Sequence, residues 1–200
     1  IAEEVTEHSH DGKTSVWQYK HLILGALGIF CYVGAEVSIG SLLVSVMEVI
    51  AGLDHATGAR LLSVYWGGAM VGRFLGALLM QRIAPSKYLA FNATAAVVLI
   101  AVAILFGGGK VSMWALLFIG FFNSIMFPTI FALSVQNMGS YYTKRAASFL
   151  MMTPIGGAIG TVLMGMAADM HNMTFSFLVP LTAFAVILIY AVVLLRKKPE

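Results

Sequence analysis

Residues 86–106 read SKYLAFNATAAVVLIAVAILF, and from Tyr88 to Phe106 no charged side chain interrupts the apolar run. A helix rises about 1.5 Å per residue and the hydrocarbon core of a bilayer is about 30 Å thick, so a crossing takes about 20 residues. This stretch has that length. It lacks the strict alternation of a barrel strand, and a spanning segment must satisfy its own backbone groups, which leaves the helix. Five more runs of the same character lie at 20–47, 58–81, 111–136, 145–170 and 175–195. The chain reads as an all-α polytopic membrane protein with six transmembrane helices.

The composition agrees. Of 200 residues, 60% are hydrophobic and 10% charged, whereas a soluble domain carries roughly 25% charged and about 45–50% apolar residues. Too few polar side chains are present to cover a water-soluble fold, so lipid is the expected solvent. The net charge of +3 is scattered, and no basic run reaches the length of a nucleic-acid patch, so no nucleic-acid partner is expected. The one cysteine, Cys31, sits in an apolar run and reads as a small helix residue. His8 and His10 lie among acidic residues in a polar linker that lacks fixed ligand geometry, so neither a metal nor a cofactor is expected. The chain starts at Ile1 with about twenty polar positions, which is no signal peptide. It reads as a piece of a longer chain.

The breaks between runs carry recognisable chemistry. Asp54, Thr57 and Gly58 separate the first pair, and Ala84, Pro85 and Ser86 the second. Gly107, Gly108 and Gly109 end the third run, Gly139 precedes the fifth, and His171 with Asn172 precedes the sixth. Gly and Pro punctuate helices, while Ser, Thr, Asp and Asn cap the next one. The expected organisation is a cytoplasmic linker at 1–19, the bundle at 20–195 and a cytoplasmic tail at 196–200.

Orientation follows from lysine and arginine. One set of connections holds Lys13, Lys20, Arg82, Lys87, Lys144, Arg145, Arg196, Lys197 and Lys198, and the other only Arg60 and Lys110. Both ends of the segment are therefore expected in the cytoplasm. Trp17, Tyr88, Tyr141, Tyr142 and Tyr190 suit an inner interfacial belt, and Trp114 and Phe175 an outer one. Gly68, Gly72 and Gly76 recur every four residues, as do Gly156 and Gly160. Small residues at this spacing let helices approach closely in lipid.

Polar groups at membrane depth point to function, because lipid does not tolerate them without a purpose or a partner. Glu36 lies about 24 Å beyond Lys20 along its helix. It reads as a coupling carboxylate, a hydroxyl acceptor for a polar substrate, or a carboxyl paired across a helix interface. Arg73, roughly 20 Å deep, reads as a gating or structural residue that meets a carboxylate or the carbonyls of another helix. Asn123 offers the donors and acceptor that a sugar hydroxyl needs. Pro128 cannot donate to the carbonyl of Ser124, so a kink with a free acceptor is expected. Tyr65, Trp66 and Phe127 would give flat apolar faces to a sugar ring. Pro154, followed by Gly156 and Gly157, marks a soft point suited to gating.

Several strings resemble one family. Residues 32–41, YVGAEVSIGS, and 65–74, YWGGAMVGRF, with Arg82, Pro85 and Lys87, are similar to helices in the second half of fucose and glucose/galactose permeases of the major facilitator superfamily. So are 123–131, NSIMFPTIF, and the stretch from Gly156 through Asp169. Ala35 with Glu36 resembles the glucose/galactose branch more than the fucose branch. The resemblance implies one half of a twelve-helix fold, the C-terminal one, in a bacterial inner membrane. It also implies a hexose bound between two halves, alternating access and cation symport, with the proton as the cation. The N-terminal half, where the family's best-supported coupling carboxylates lie, is absent from this chain.

Two rival readings come from other classes. An intramembrane hydrolase needs a nucleophile and a base within the membrane. Every histidine here falls in a linker or at a helix end, and no Gly-x-Ser-Gly occurs. A non-transporting scaffold bundle has no use for Glu36, Arg73 and Asn123 at membrane depth.

Overall fold

A computed structural model of the chain describes residues 16–196. The first span is α1 (Lys20–Ala51), the second α2 (His55–Leu79) and the third α3 (Pro85–Phe106). The fourth is divided into α4 (Gly109–Asn123) and α5 (Met126–Ser134), and the fifth into α6 (Ser140–Leu150) and α7 (Gly156–Met170). The sixth comprises a single turn, α8 (Met173–Ser176), and α9 (Leu178–Arg196). All six spans are long and apolar enough to cross a membrane. Large apolar side chains such as Phe74, Leu105 and Met170 stand exposed on the flanks, an arrangement that lipid solvates and water does not. The chain is an integral membrane protein.

Local chemistry sets the boundaries. Gly52 closes α1 in the left-handed region at φ 64°, returning its N–H to the Met47 carbonyl. Asp54 then caps α2 by accepting the Thr57 N–H at 3.1 Å. That bond holds the Asp54 carboxyl below its ordinary range. Gly107, Gly108 and Gly109 all have positive φ, and Ser112 stitches this turn together. Its hydroxyl donates to the Ala103 carbonyl at 3.0 Å and accepts the Gly108 N–H at 3.0 Å. Asn172 caps α8 through the Phe175 N–H at 2.7 Å.

The core forms around α1, which is packed on by α2, α4, α5, α7 and α9. Backbones meet at the expected glycines. A Cβ on Gly160 would stand 2.6 Å from the Gly34 carbonyl oxygen, and one on Gly156 would strike the Phe30 carbonyl. On α2, Gly72 lies against the Phe121 carbonyl, and a Cβ on Gly76 would meet Ile125 at 2.9 Å. These contacts bring α7 onto α1 and α4 onto α2.

Three features differ from the sequence reading. The fifth span starts at Ser140 rather than near Arg145. Its first turns are polar on one face and bury Tyr142, Ala146 and Leu150 on the other, so the helix outruns the apolar stretch. Residues 1–15 and 197–200, with His8, His10, Lys13, Lys197 and Lys198, lie outside the described residues. From Val16 on, however, the segment read as a solvated linker joins the bundle. Val16–Gln18 forms a 3-10 turn, Trp17 packs edge-on against Phe149 at 4.8 Å, and Tyr19 is buried beside Tyr142. Of the expected aromatic belt, Trp17, Tyr141, Trp114 and Phe175 are exposed, while Tyr88, Tyr142 and Tyr190 turn inward.

Candidate functional site

Apart from Pro154, the residues singled out for function lie where α1, α2 and the divided fourth span meet. Asn123 is the last residue of α4, and its Nδ2 donates to the Tyr65 hydroxyl of α2 at 3.1 Å. Both side chains are fully buried. The Asn123 Oδ1 has no partner among the described residues, and turning the amide over would only change which of its groups is unpaired. Tyr65 meets Trp66 edge-on at 5.2 Å. Trp66 is 43% exposed and lies over Gly40 of α1, where a Cβ would stand 2.8 Å from its ring. Gly40 is one helical turn beyond Glu36.

Glu36 is half-buried on α1. It makes no ion pair within 4 Å among the described residues, yet it stands within electrostatic reach of Arg73 and Tyr65 from α2. The Tyr32 hydroxyl lies beside its carboxyl, near enough to interact but short of ordinary hydrogen-bond geometry. The Tyr32 ring faces Phe127 at 6.2 Å, and Phe127 stacks on Phe131 at 6.4 Å. Two groups of rings, Phe131–Phe127–Tyr32 and Tyr65–Trp66, thus lie on either side of Glu36.

Arg73 is held by the break in the fourth span. Its Nε donates to the Ser124 carbonyl at 3.2 Å. This is the carbonyl that Pro128, with no N–H, leaves without a helical partner. Two expectations from the sequence, a freed acceptor and an arginine in need of one, are thus met by a single bond. Pro154 stands apart, in the 3-10 turn Thr153–Ile155 against another side of α1. The carbonyl it frees, that of Leu150, accepts from the Thr153 hydroxyl at 2.7 Å. Both proline breaks therefore have their open acceptors filled by side chains.

Tyr32 was not singled out from the sequence as a site residue. The signal was present, because positions i and i+4 share a helix face and Tyr32 is four residues before Glu36. Away from this region, His55 and Glu48 form an exposed pair at 2.6 Å at the far end of the bundle. Among the described residues no cluster of metal-ligating side chains occurs.

Comparison with known proteins places the chain as a whole. No family model matches the chain. A glucose/galactose transporter of Brucella abortus is 43% identical over 195 residues, covering 96% of this chain and 47% of the relative. The L-fucose-proton symporter of Escherichia coli is 39% identical over 174 residues, covering 86% and 39%. The crystal structure of the major facilitator superfamily transporter FucP in its outward conformation superposes with a TM-score of 0.83 at 38% identity, over 87% of this chain and 42% of that one. The chain spans about half the length of the curated relatives it matches.

Proposed function

The chain belongs to the fucose and glucose/galactose permease family of the major facilitator superfamily, and on that premise we propose that it is the C-terminal half of a hexose–proton symporter. The complete transporter would carry glucose, galactose or a fucose-like sugar across a bacterial cytoplasmic membrane, with both ends of this half in the cytoplasm. The missing six helices would supply the other wall of the sugar site and rock against this half. The basic end of the bundle, with Lys20, Lys87, Lys144 and Arg145, supports the orientation.

The observation that carries the reading is the setting of Glu36, a carboxylate midway along its span that is framed by the Tyr32 and Tyr65 hydroxyls and by two groups of aromatic rings. Rings cover the apolar faces of a sugar, and a carboxylate accepts from its hydroxyls. Glu36, Trp66 and Phe127, all partly accessible, would meet the sugar directly. Asn123 and Tyr65 stand behind them, where opening at the fourth-span break would present them. Arg73, Pro128 and Pro154 would serve gating.

Uptake by the full-length transporter in proteoliposomes tests this. Galactose or glucose should accumulate against its gradient when an inward proton gradient is imposed, and sodium alone should not drive it. Absence of any gradient-driven sugar uptake would overturn the reading and leave a scaffold bundle.

A further inference from the structure

We propose that Arg73 is a movable latch that exchanges the proline-freed carbonyl of Ser124 for the ionised carboxylate of Glu36, so that the proton on Glu36 sets the shape of the fourth span. The proposal rests on the reading of this family member as a proton-coupled symporter. It adds the element through which the proton would act.

Three observations carry it. Arg73 donates only through Nε, to Ser124, which leaves its other donors unused among the described residues. Glu36 is half-buried, has no ion pair among the described residues, and has Arg73 as the nearby fixed cation. Depth allows an exchange. Counted from the ends of α1 and α2 at the same side, Glu36 lies about 22 Å in and Arg73 about 27 Å in, roughly one helical turn apart. A long flexible side chain spans that difference.

The two acceptors differ in how they respond to a proton. A guanidinium stays charged at any physiological pH. Against a protonated, neutral Glu36, the Ser124 carbonyl is the better partner, since Pro128 leaves it with nothing else to accept. Against an ionised Glu36, a carboxylate with two oxygens receives two parallel N–H bonds and a full opposite charge, which outweighs one neutral carbonyl. Loss of the proton to water would draw Arg73 off Ser124, and its return would restore the latch. The other groups facing Glu36 are Tyr32 on its own helix and Tyr65 on α2. Among the described residues, α4, α5, α7 and α9 bring no charged group to it.

The consequence falls on both flanks of the break. Asn123 ends α4, and Phe127 sits in the first turn of α5. Ser124 lies between them, so releasing its carbonyl frees the α4–α5 junction that sets these two side chains relative to each other. Protonation at one helix would thereby be felt in the sugar wall of another.

The decisive variant is Pro128→Ala, which gives residue 128 an N–H for Ser124 and should fold at least as well as the parent. Its effect is read in the full-length transporter in proteoliposomes. Sugar exchange without a gradient should fall far less than proton-driven accumulation, which should drop roughly tenfold, the scale of losing one charge-assisted hydrogen bond. The pH dependence of uptake should flatten. Arg73→Lys, which keeps the charge but loses the fork, should give the same split. Glu36→Gln combined with Pro128→Ala should be no worse than Glu36→Gln alone. Unchanged accumulation in Pro128→Ala, or losses that simply add in the double variant, would overturn the latch while leaving the symporter reading intact. If the parent itself shows no proton-driven uptake, the symporter reading fails first.

Discussion

Glu36 and Arg73 show how far single residues can be read. A carboxylate and a guanidinium at membrane depth announce themselves in any sequence. Pro128 likewise announces the carbonyl it strands. What the chain could not disclose is that Arg73 would choose Ser124, 51 residues away, because that depends on α2 and α4 closing along Gly72. The burial of Asn123 and Tyr65 inside the half was hidden for the same reason, since polarity says nothing about which face of a helix a neighbour covers. Glu36→Gln in the full-length transporter should impair proton-driven accumulation more than sugar exchange, measured on the same proteoliposomes. Equal loss of both would leave Glu36 with sugar binding alone and no part in coupling. Arg73→Ala should lower the maximal rate and leave sugar affinity within a few-fold, and a large affinity loss at unchanged rate would remove Arg73 from gating.

At the scale of elements, helix ends were legible because glycine, proline and capping side chains mark them directly. The start of α6 was less so, because its first residues are polar and hold the helix by burying Tyr142. The glycine repeats predicted close approach without naming partners, and the structure gives each a different weight. Gly160→Ala drives a Cβ into the Gly34 backbone and should cost on the order of 1–3 kcal/mol as overpacking. Gly165→Ala, five residues on with nothing within 4 Å, should be neutral or gain roughly 0.5–1 kcal/mol from helix propensity. Thermal unfolding in detergent separates the two, and equal shifts would refute the α1–α7 contact as drawn. At the α1–α2 turn, the Thr57 bond lowers the folded-state pKa of Asp54. Its contribution is therefore present above the unfolded carboxylate value of about 3.9. It is lost as pH falls through the lower folded value. Asp54→Asn keeps an acceptor without the charge and should remove that acid-side dependence from the unfolding profile.

For the whole molecule, six spans and their family followed from run length and a few strings, whereas what one half can do alone follows only from what it lacks. One wall of the proposed sugar site would offer a few hydrogen bonds of roughly 0.5–1.5 kcal/mol each, set against the cost of holding the ligand. The isolated half should bind hexose no tighter than about millimolar, near −4 kcal/mol. It should self-associate through its uncovered face and show no saturable uptake in liposomes. Concentrative transport by the purified half would refute this. The central place of α1 has a further consequence, for biosynthesis. The hub of the bundle is also its first span, and about a hundred residues separate its end from the start of α7. At translation rates of roughly 5–20 residues per second, a newly made α1 waits on the order of 5–20 s before α7 covers its glycine seam. Something other than α7 must cover that seam during the interval, and the insertion machinery is the body at hand.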